Sequence, residues 1–121
     1  MSEAFESLKR RLERFVDERE WRQFHTPKNM AICISVEANE LLAHYTWTDT
    51  TAVEGTSEQS LDHIAIRDEA ADILLSLLSF ARTCDFDLID AAQTKLTKLE
   101  KRYDVRTARG NGRKIPESES R

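Results

Sequence analysis

Apolar side chains recur every three or four residues along most of this chain, as they do on one face of an amphipathic helix. The spacing predicts four helices. The first, second and fourth cover residues 2–20, 27–46 and 88–105, and the third begins between residues 57 and 60 and ends near residue 84. Thr26 followed by Pro27 predicts the start of the second helix, because a helix tolerates proline at its first position. Ser2 and Asp87 are the expected caps of the first and fourth helices. The predicted fold class is therefore all-α, a four-helix bundle.

The second and third helices are apolar on more than one face. Residues 30–34 are apolar without interruption, and Leu75 and Phe80 add apolar surface beside the main stripe of the third helix. Helices of this kind are buried by neighbours on several sides. We therefore expect contacts between subunits. We also expect Cys33 and Cys84, which lie in these apolar patterns, to be buried, reduced thiols.

Composition excludes several classes of protein. The 121 residues include only three glycines and two prolines, too few for the frequent turns of a β-sandwich or barrel. No glycine-rich phosphate loop is present, and no cysteine pair has the spacing of a zinc site. No apolar run reaches the roughly 20 residues of a membrane span. The chain is charged from Glu3 onward, so we expect no signal peptide, no membrane partner and a cytoplasmic location.

Charge is distributed unevenly along the chain, whose net charge is -4. Residues 106–121 carry five basic and two acidic groups, whereas residues 1–105 carry 13 basic and 20 acidic groups. We expect residues 1–105 to form one helical domain and residues 106–121 a basic tail that is extended or disordered. An acidic body is a poor surface for nucleic acid, so no nucleic-acid partner is expected. Nucleic-acid binding through the tail alone is the alternative.

Four carboxylates stand in two pairs on consecutive predicted helices. Glu37 and Glu40 form one pair at i, i+3, and Glu69 and Asp72 form the other, so each pair projects from one side of its helix. All four border apolar stripes, where a carboxylate is costly unless it is paired or bound to a metal. Few lysines or arginines of these helices could pair with them. The sequence therefore predicts a site for a divalent cation, Mg²⁺ or Mn²⁺, which favour oxygen ligands.

Two other interpretations of these carboxylates are open at this point. They could be solvated acids on the surfaces of their helices, as most charged residues of a helix are. They could also belong to a di-iron site in a four-helix bundle, which uses a Glu-x-x-His motif on two helices. No glutamate here has a histidine three residues later; His44 follows Glu40 by four.

The carboxylate pattern resembles that of the MazG-like nucleoside triphosphate pyrophosphohydrolases, which is E-x-x-E, a spacer, and E-x-x-D. Here 28 residues separate the two pairs. Residues 17–47, 68–88 and 101–110 also resemble the dCTP pyrophosphatase branch of that family, and the likeness extends over residues 5–115. It implies a Mg²⁺-dependent enzyme that hydrolyses a (d)NTP to the monophosphate and pyrophosphate. It further implies that the enzyme removes unwanted nucleotides from the nucleotide pool, and that it prefers dCTP-like pyrimidine substrates.

The resemblance also implies roles for the four carboxylates. Glu37, Glu40, Glu69 and Asp72 would hold the metal ions and serve as the catalytic groups. A bound metal neutralises the triphosphate and acidifies an attacking water. One carboxylate, for which we favour Glu37 or Glu40, would accept the proton of that water.

Substrate-binding residues follow from the same resemblance. Trp21 and Trp47 would line the base pocket, where stacking tolerates any base. Lys95 would reach the phosphates from a neighbouring subunit, helped by Arg102 and Arg109. The family resemblance implies a homodimer or a dimer of dimers, in agreement with the excess of apolar surface.

The chain departs from the branch at several positions. It has Leu12, Ser76 and Leu99 where the branch commonly has His, Tyr and Asn. Because a pocket with fewer polar partners discriminates poorly between bases, these departures bear on the preference for base and sugar. They also support an alternative function, a non-catalytic helical scaffold or interaction protein that has retained the fold.

Overall fold

The structure, a computed structural model, describes residues 2–46 and 61–117. Within these ranges the chain is helical and contains no strand. The helices are α1 (Glu3–Glu18), α2 (Pro27–Ala43), α3 (His63–Thr83), α4 (Leu88–Arg102) and the short α5 (Val105–Ala108). A 3-10 turn, Arg22–Phe24, lies between α1 and α2. The all-α prediction is confirmed.

Three helices begin where the sequence predicts. The side-chain oxygens of Ser2, Thr26 and Asp87 each accept the backbone N–H three residues on, at 3.2, 3.1 and 2.9 Å. Each bond satisfies one of the amide groups that the first turn of a helix leaves without a partner. Pro27 occupies the start of α2, as expected.

The predicted starting point of α3 is wrong. Asp62 caps this helix by accepting the N–H of Ala65 at 3.0 Å, so that α3 begins at His63. Residues 57–60, where the sequence placed the start, lie outside the described ranges. Serine and aspartate cap helices equally well. Several of these residues precede the apolar stripe of α3, so the stripe does not indicate which of them is the cap.

The chain divides into two compact units, residues 1–85 and 86–121. In the first unit α2 packs along α3, and α1 makes a smaller contact with α3. The buried apolar core formed by the described residues of this unit is small and consists of Val16, Met30, Leu78 and Ala81. This packing fixes which faces of α2 and α3 meet.

The second unit contains α4, α5 and the segment that follows them. α4 ends at Arg102, three residues before the predicted end. The Tyr103 hydroxyl accepts the backbone N–H of Ile115 at 2.9 Å, and Arg102 lies 3.9 Å from Glu117. The boundary between helical domain and tail at residue 105 stays a prediction.

Large apolar side chains of α2 and α3 are exposed, as the all-round apolar pattern of these helices suggests. The exposed set includes Ile32, Val36, Leu42, Ile64 and Leu74. This surface is available to another subunit. Among the described residues, no helix combines the length and apolar character that crossing a membrane requires.

The prediction that the two cysteines are buried is wrong. Cys33 and Cys84 are free thiols, and both are exposed. Cys33 follows the exposed Ile32 on α2, and Cys84 lies at the end of α3 as its C-cap. An apolar sequence pattern does not distinguish the covered faces of a helix from the uncovered ones.

Candidate metal centre

Packing of α2 against α3 brings three of the predicted carboxylates together. One oxygen each of Glu37, Glu40 and Glu69 lies within 4.8 Å of the other two. Glu37 and Glu40 share a side of α2 because they are one helical turn apart. Glu69 approaches them from α3. The grouping therefore depends on the helical spacing and on how the two helices meet.

Two of these carboxylates are partly withdrawn from solvent. Glu37 and Glu69 are half-buried, and Glu40 is exposed. The Oε2 atoms of Glu37 and Glu69 are sealed from solvent and accept no hydrogen bond from any described residue. No lysine or arginine in the described part of the chain forms an ion pair with the three groups. Burial of unpaired carboxylate oxygens is unfavourable, so these atoms are suited to a cation.

The proximity of the carboxylates changes the acidity of Glu69. Its pKa rises from the ordinary 4.5 to about 7. The largest cause is the closeness of the Glu37 carboxylate, with which a protonated Glu69 can share a hydrogen bond; burial and the closeness of Glu40 raise the pKa further. In the metal-free protein, Glu69 therefore gives up its proton only near neutral pH. A cation would compete with that proton for the same oxygens.

The donor set fits a divalent cation such as Mg²⁺ or Mn²⁺. It consists of carboxylate oxygens, the ligands that these hard ions favour, and two of the oxygens have no other partner. The described residues place no histidine in this group, which disfavours the di-iron alternative. The sealed oxygens of Glu37 and Glu69 likewise disfavour fully solvated acids.

Asp72 stands apart from the three carboxylates. It lies on α3 one turn after Glu69 and is exposed. Its oxygens are not among the atoms that lie within 4.8 Å of one another. Its role as a fourth ligand stays a prediction.

Trp21, the first predicted base-binding residue, follows α1 and is 45% exposed. Its ring meets that of Phe15 edge-on, with centroids 5.5 Å apart and planes at 81°, a favourable aromatic arrangement. The Arg19 guanidinium lies over the Phe15 ring, 3.9 Å from its centroid. Phe15 belongs to the apolar period of α1 but is 43% exposed, and no motif in the sequence singles out Arg19. Trp47, the second predicted base-binding residue, lies outside the described residues.

The predicted phosphate-binding residues belong to the second unit. Lys95 is exposed on α4, and Arg109 is exposed directly after α5. The Arg102 side chain is only 7% exposed and lies near Glu117. Their roles stay predictions.

Two of the positions that depart from the family pattern lie in the first unit. Leu12 is half-buried on α1, and Ser76 is half-buried on α3. Leu12 lines an apolar groove of about 240 Å³ together with Leu8, Arg11, Phe15 and Leu75. Leu99, the third position, is half-buried on α4 in the second unit.

Comparison with known proteins gives matches along most of the chain. The sequence model of the MazG-like family matches residues 32–117. dCTP pyrophosphatase 1 of Mus musculus is 30% identical over 108 residues, which are 89% of this chain and 64% of that protein. Its Homo sapiens counterpart is 30% identical over 114 residues, 94% of this chain and 67% of that protein. The chain thus spans slightly less than two thirds of the mouse protein's length.

A solved structure has a similar fold. The crystal structure of a pyrophosphatase from Archaeoglobus fulgidus superimposes with a TM-score of 0.73 and 32% sequence identity. The match covers 86% of this chain and 95% of the archaeal chain. The region matched by the family model includes all four predicted carboxylates.

Proposed function

We propose that this chain, which belongs to the MazG-like family, hydrolyses nucleoside triphosphates to the monophosphate and pyrophosphate with the help of Mg²⁺. The observation that carries the proposal is the group formed by Glu37, Glu40 and Glu69, with its two sealed and unpaired oxygens. The relatives named dCTP pyrophosphatase 1 and the archaeal pyrophosphatase support a reaction at a phosphoric anhydride.

Each carboxylate has a distinct task in this proposal. Glu37 and Glu69 hold the cation through the oxygens that nothing else satisfies, Glu40 is the third ligand, and Asp72 is the fourth. When bound, Mg²⁺ supplies positive charge against the triphosphate and acidifies a water molecule. Glu40 is the exposed member of the group, so we assign it, rather than Glu37, to accept the proton of the attacking water.

The substrate-binding residues orient the nucleotide. Trp21 and Trp47 contact the base, while Lys95, Arg102 and Arg109 bind the phosphates. Because aromatic stacking accepts any base, these residues give affinity more than selectivity. The relatives' name supports dCTP as the preferred substrate, within a general role of removing unwanted nucleotides.

The proposed enzyme assembles as a homodimer or a dimer of dimers. The small core and the exposed apolar side chains of α2 and α3 support this assembly. We expect at least a dimer in light scattering at micromolar concentration, and we expect Ile32→Glu to shift it towards monomer. Lys28→Glu, a polar exposed position on the same helix, is the control. A monomeric parent protein would contradict the proposal.

The proposed function is tested by measuring pyrophosphate release from a panel of canonical and modified (d)NTPs with Mg²⁺ or Mn²⁺. We expect release from deoxynucleotides, fastest with dCTP, and none when the metal is chelated. A non-catalytic scaffold, the alternative favoured by Leu12, Ser76 and Leu99, would release none from any nucleotide. It would also show no thermal shift with Mg²⁺ and a non-hydrolysable analogue.

A further inference from the structure

We propose that Asp17 and Arg82 form a positioning pair that fixes the end of α1 against α3 and thereby orients Trp21 towards the nucleotide base. The inference rests on the proposed function, in which Trp21 contacts the base. Asp17 and Arg82 themselves have no role in metal binding.

The ion pair joins α1 to α3, two helices that pack less extensively than α2 and α3 do. Arg82 on α3 donates through Nη1 to Asp17 Oδ1 at 3.0 Å and through Nη2 to Asp17 Oδ2 at 2.9 Å. Two parallel bonds fix both the distance between the two side chains and their relative orientation, whereas a single bond does not. The Arg82 side chain is 20% exposed and that of Asp17 50%. The bonds lower the pKa of Asp17 and raise that of Arg82, so both groups are charged at neutral pH.

A tight turn connects Asp17 to Trp21. The backbone N–H of Glu20 donates to the carbonyl of Asp17 at 3.0 Å, and that of Trp21 donates to the carbonyl of Val16 at 3.0 Å. Glu20 has a φ of 54°, in the left-handed region that commonly ends a helix. The backbone of Trp21 is thus bonded to the same turn of α1 that Arg82 holds.

Side-chain contacts then set the direction of the indole ring. Trp21 packs edge-on against Phe15, and Arg19 covers the Phe15 ring while its Nη1 donates to the Phe15 carbonyl at 3.0 Å. One end of this series of contacts is Arg82 on α3. The other end is Trp21, which is still about half exposed and therefore accessible to a base.

The proposal is tested with Asp17→Asn and Arg82→Lys, which prevent two parallel bonds from forming together but leave side chains of similar size. Glu18→Gln is the matched control, because Glu18 is exposed in the same turn and forms no ion pair among the described residues. We expect the KM for dCTP to rise about three- to fivefold in both variants, the range of a well-formed exposed ion pair. kcat should stay within about twofold, since the base is distant from the reacting phosphorus.

A second measurement reports on Trp21 without turnover. In a Trp47→Phe background Trp21 is the single tryptophan, and we expect acrylamide to quench its fluorescence more strongly once either pair residue is changed. If both variants only lower the melting temperature, with KM and quenching unchanged, the pair is structural and the proposal is overturned. If the parent hydrolyses no nucleotide, the proposed function fails, while the quenching result still decides whether the pair positions Trp21.

Discussion

Replacing Glu69 with glutamine should lower kcat/KM for nucleotide hydrolysis by more than about 100-fold without destabilising the metal-free protein. Changes around a metal site, one step away from the ligands, already cost roughly 10–100-fold, and loss of a ligand should cost more. The amide also removes a negative charge from beside Glu37 and Glu40, the residues whose proximity raises the pKa of Glu69. Activity is followed by pyrophosphate release, and stability by thermal unfolding in a chelator.

Asp68→Asn is the matched control for this experiment. Asp68 precedes Glu69 on α3, is exposed, and lies outside the group of close carboxylates. It should retain the parent's activity. Glu69→Gln with full activity would contradict the assignment of the metal centre. Glu40→Gln and Asp72→Asn extend the test, and the proposed roles require both to be strongly impaired while the fold is retained.

The metal-free protein should lose stability as pH rises from about 4.5 to about 7, because of Glu69. The folded chain holds the Glu69 proton up to a pKa of about 7, whereas the ordinary value is 4.5. The stabilisation that this proton gives the folded state is therefore fully present below pH 4.5 and is lost as pH rises through 7. Above that pH, three negative charges stand together. The melting temperature of the protein in EDTA, recorded across this range, measures the effect.

Comparison with Glu69→Gln isolates this effect from other titrating groups. The variant has no proton to lose at residue 69. Its melting temperature should therefore fall less than that of the parent as pH rises towards 8. Mg²⁺ should stabilise the parent more at pH 8 than at pH 6, since at the lower pH it must displace the proton. A parent and variant with parallel pH profiles would show that the three carboxylates are not close in solution.

The helices could be predicted wherever a capping residue directly precedes an apolar period. Ser2, Thr26 and Asp87 satisfied this condition, and each accepts the expected hydrogen bond. The start of α3 could not be located, because the apolar stripe does not indicate which of several preceding polar residues supplies the cap. Asp62 does so.

The candidate site was partly predictable for a similar reason. The i, i+3 spacing places Glu37 and Glu40 on one side of α2, and Glu69 and Asp72 on one side of α3. Whether a residue of α3 meets them depends on the packing of the two helices, which spacing along one helix does not specify. Glu69 lies in the group, and Asp72, one turn further on, does not.

Contacts between distant residues gave no signal in the sequence. Asp17 and Arg82 are 65 positions apart, and neither belongs to a motif. The exposure of Phe15 likewise follows from how little of α1 is covered by α3, not from its position in the apolar period. These two features underlie the proposed orientation of Trp21, and only the folded structure reveals them.

In the proposed function, the carboxylates on α2 and α3 support hydrolysis between the α- and β-phosphates of a nucleotide. Phosphorus NMR of dCTP incubated with the protein and Mg²⁺ tests it most directly, because the products identify the bond that breaks. We predict the resonances of dCMP and pyrophosphate, and their absence when Glu69→Gln replaces the parent. Formation of dCDP and orthophosphate, or a triphosphate that persists unchanged, would contradict the claim.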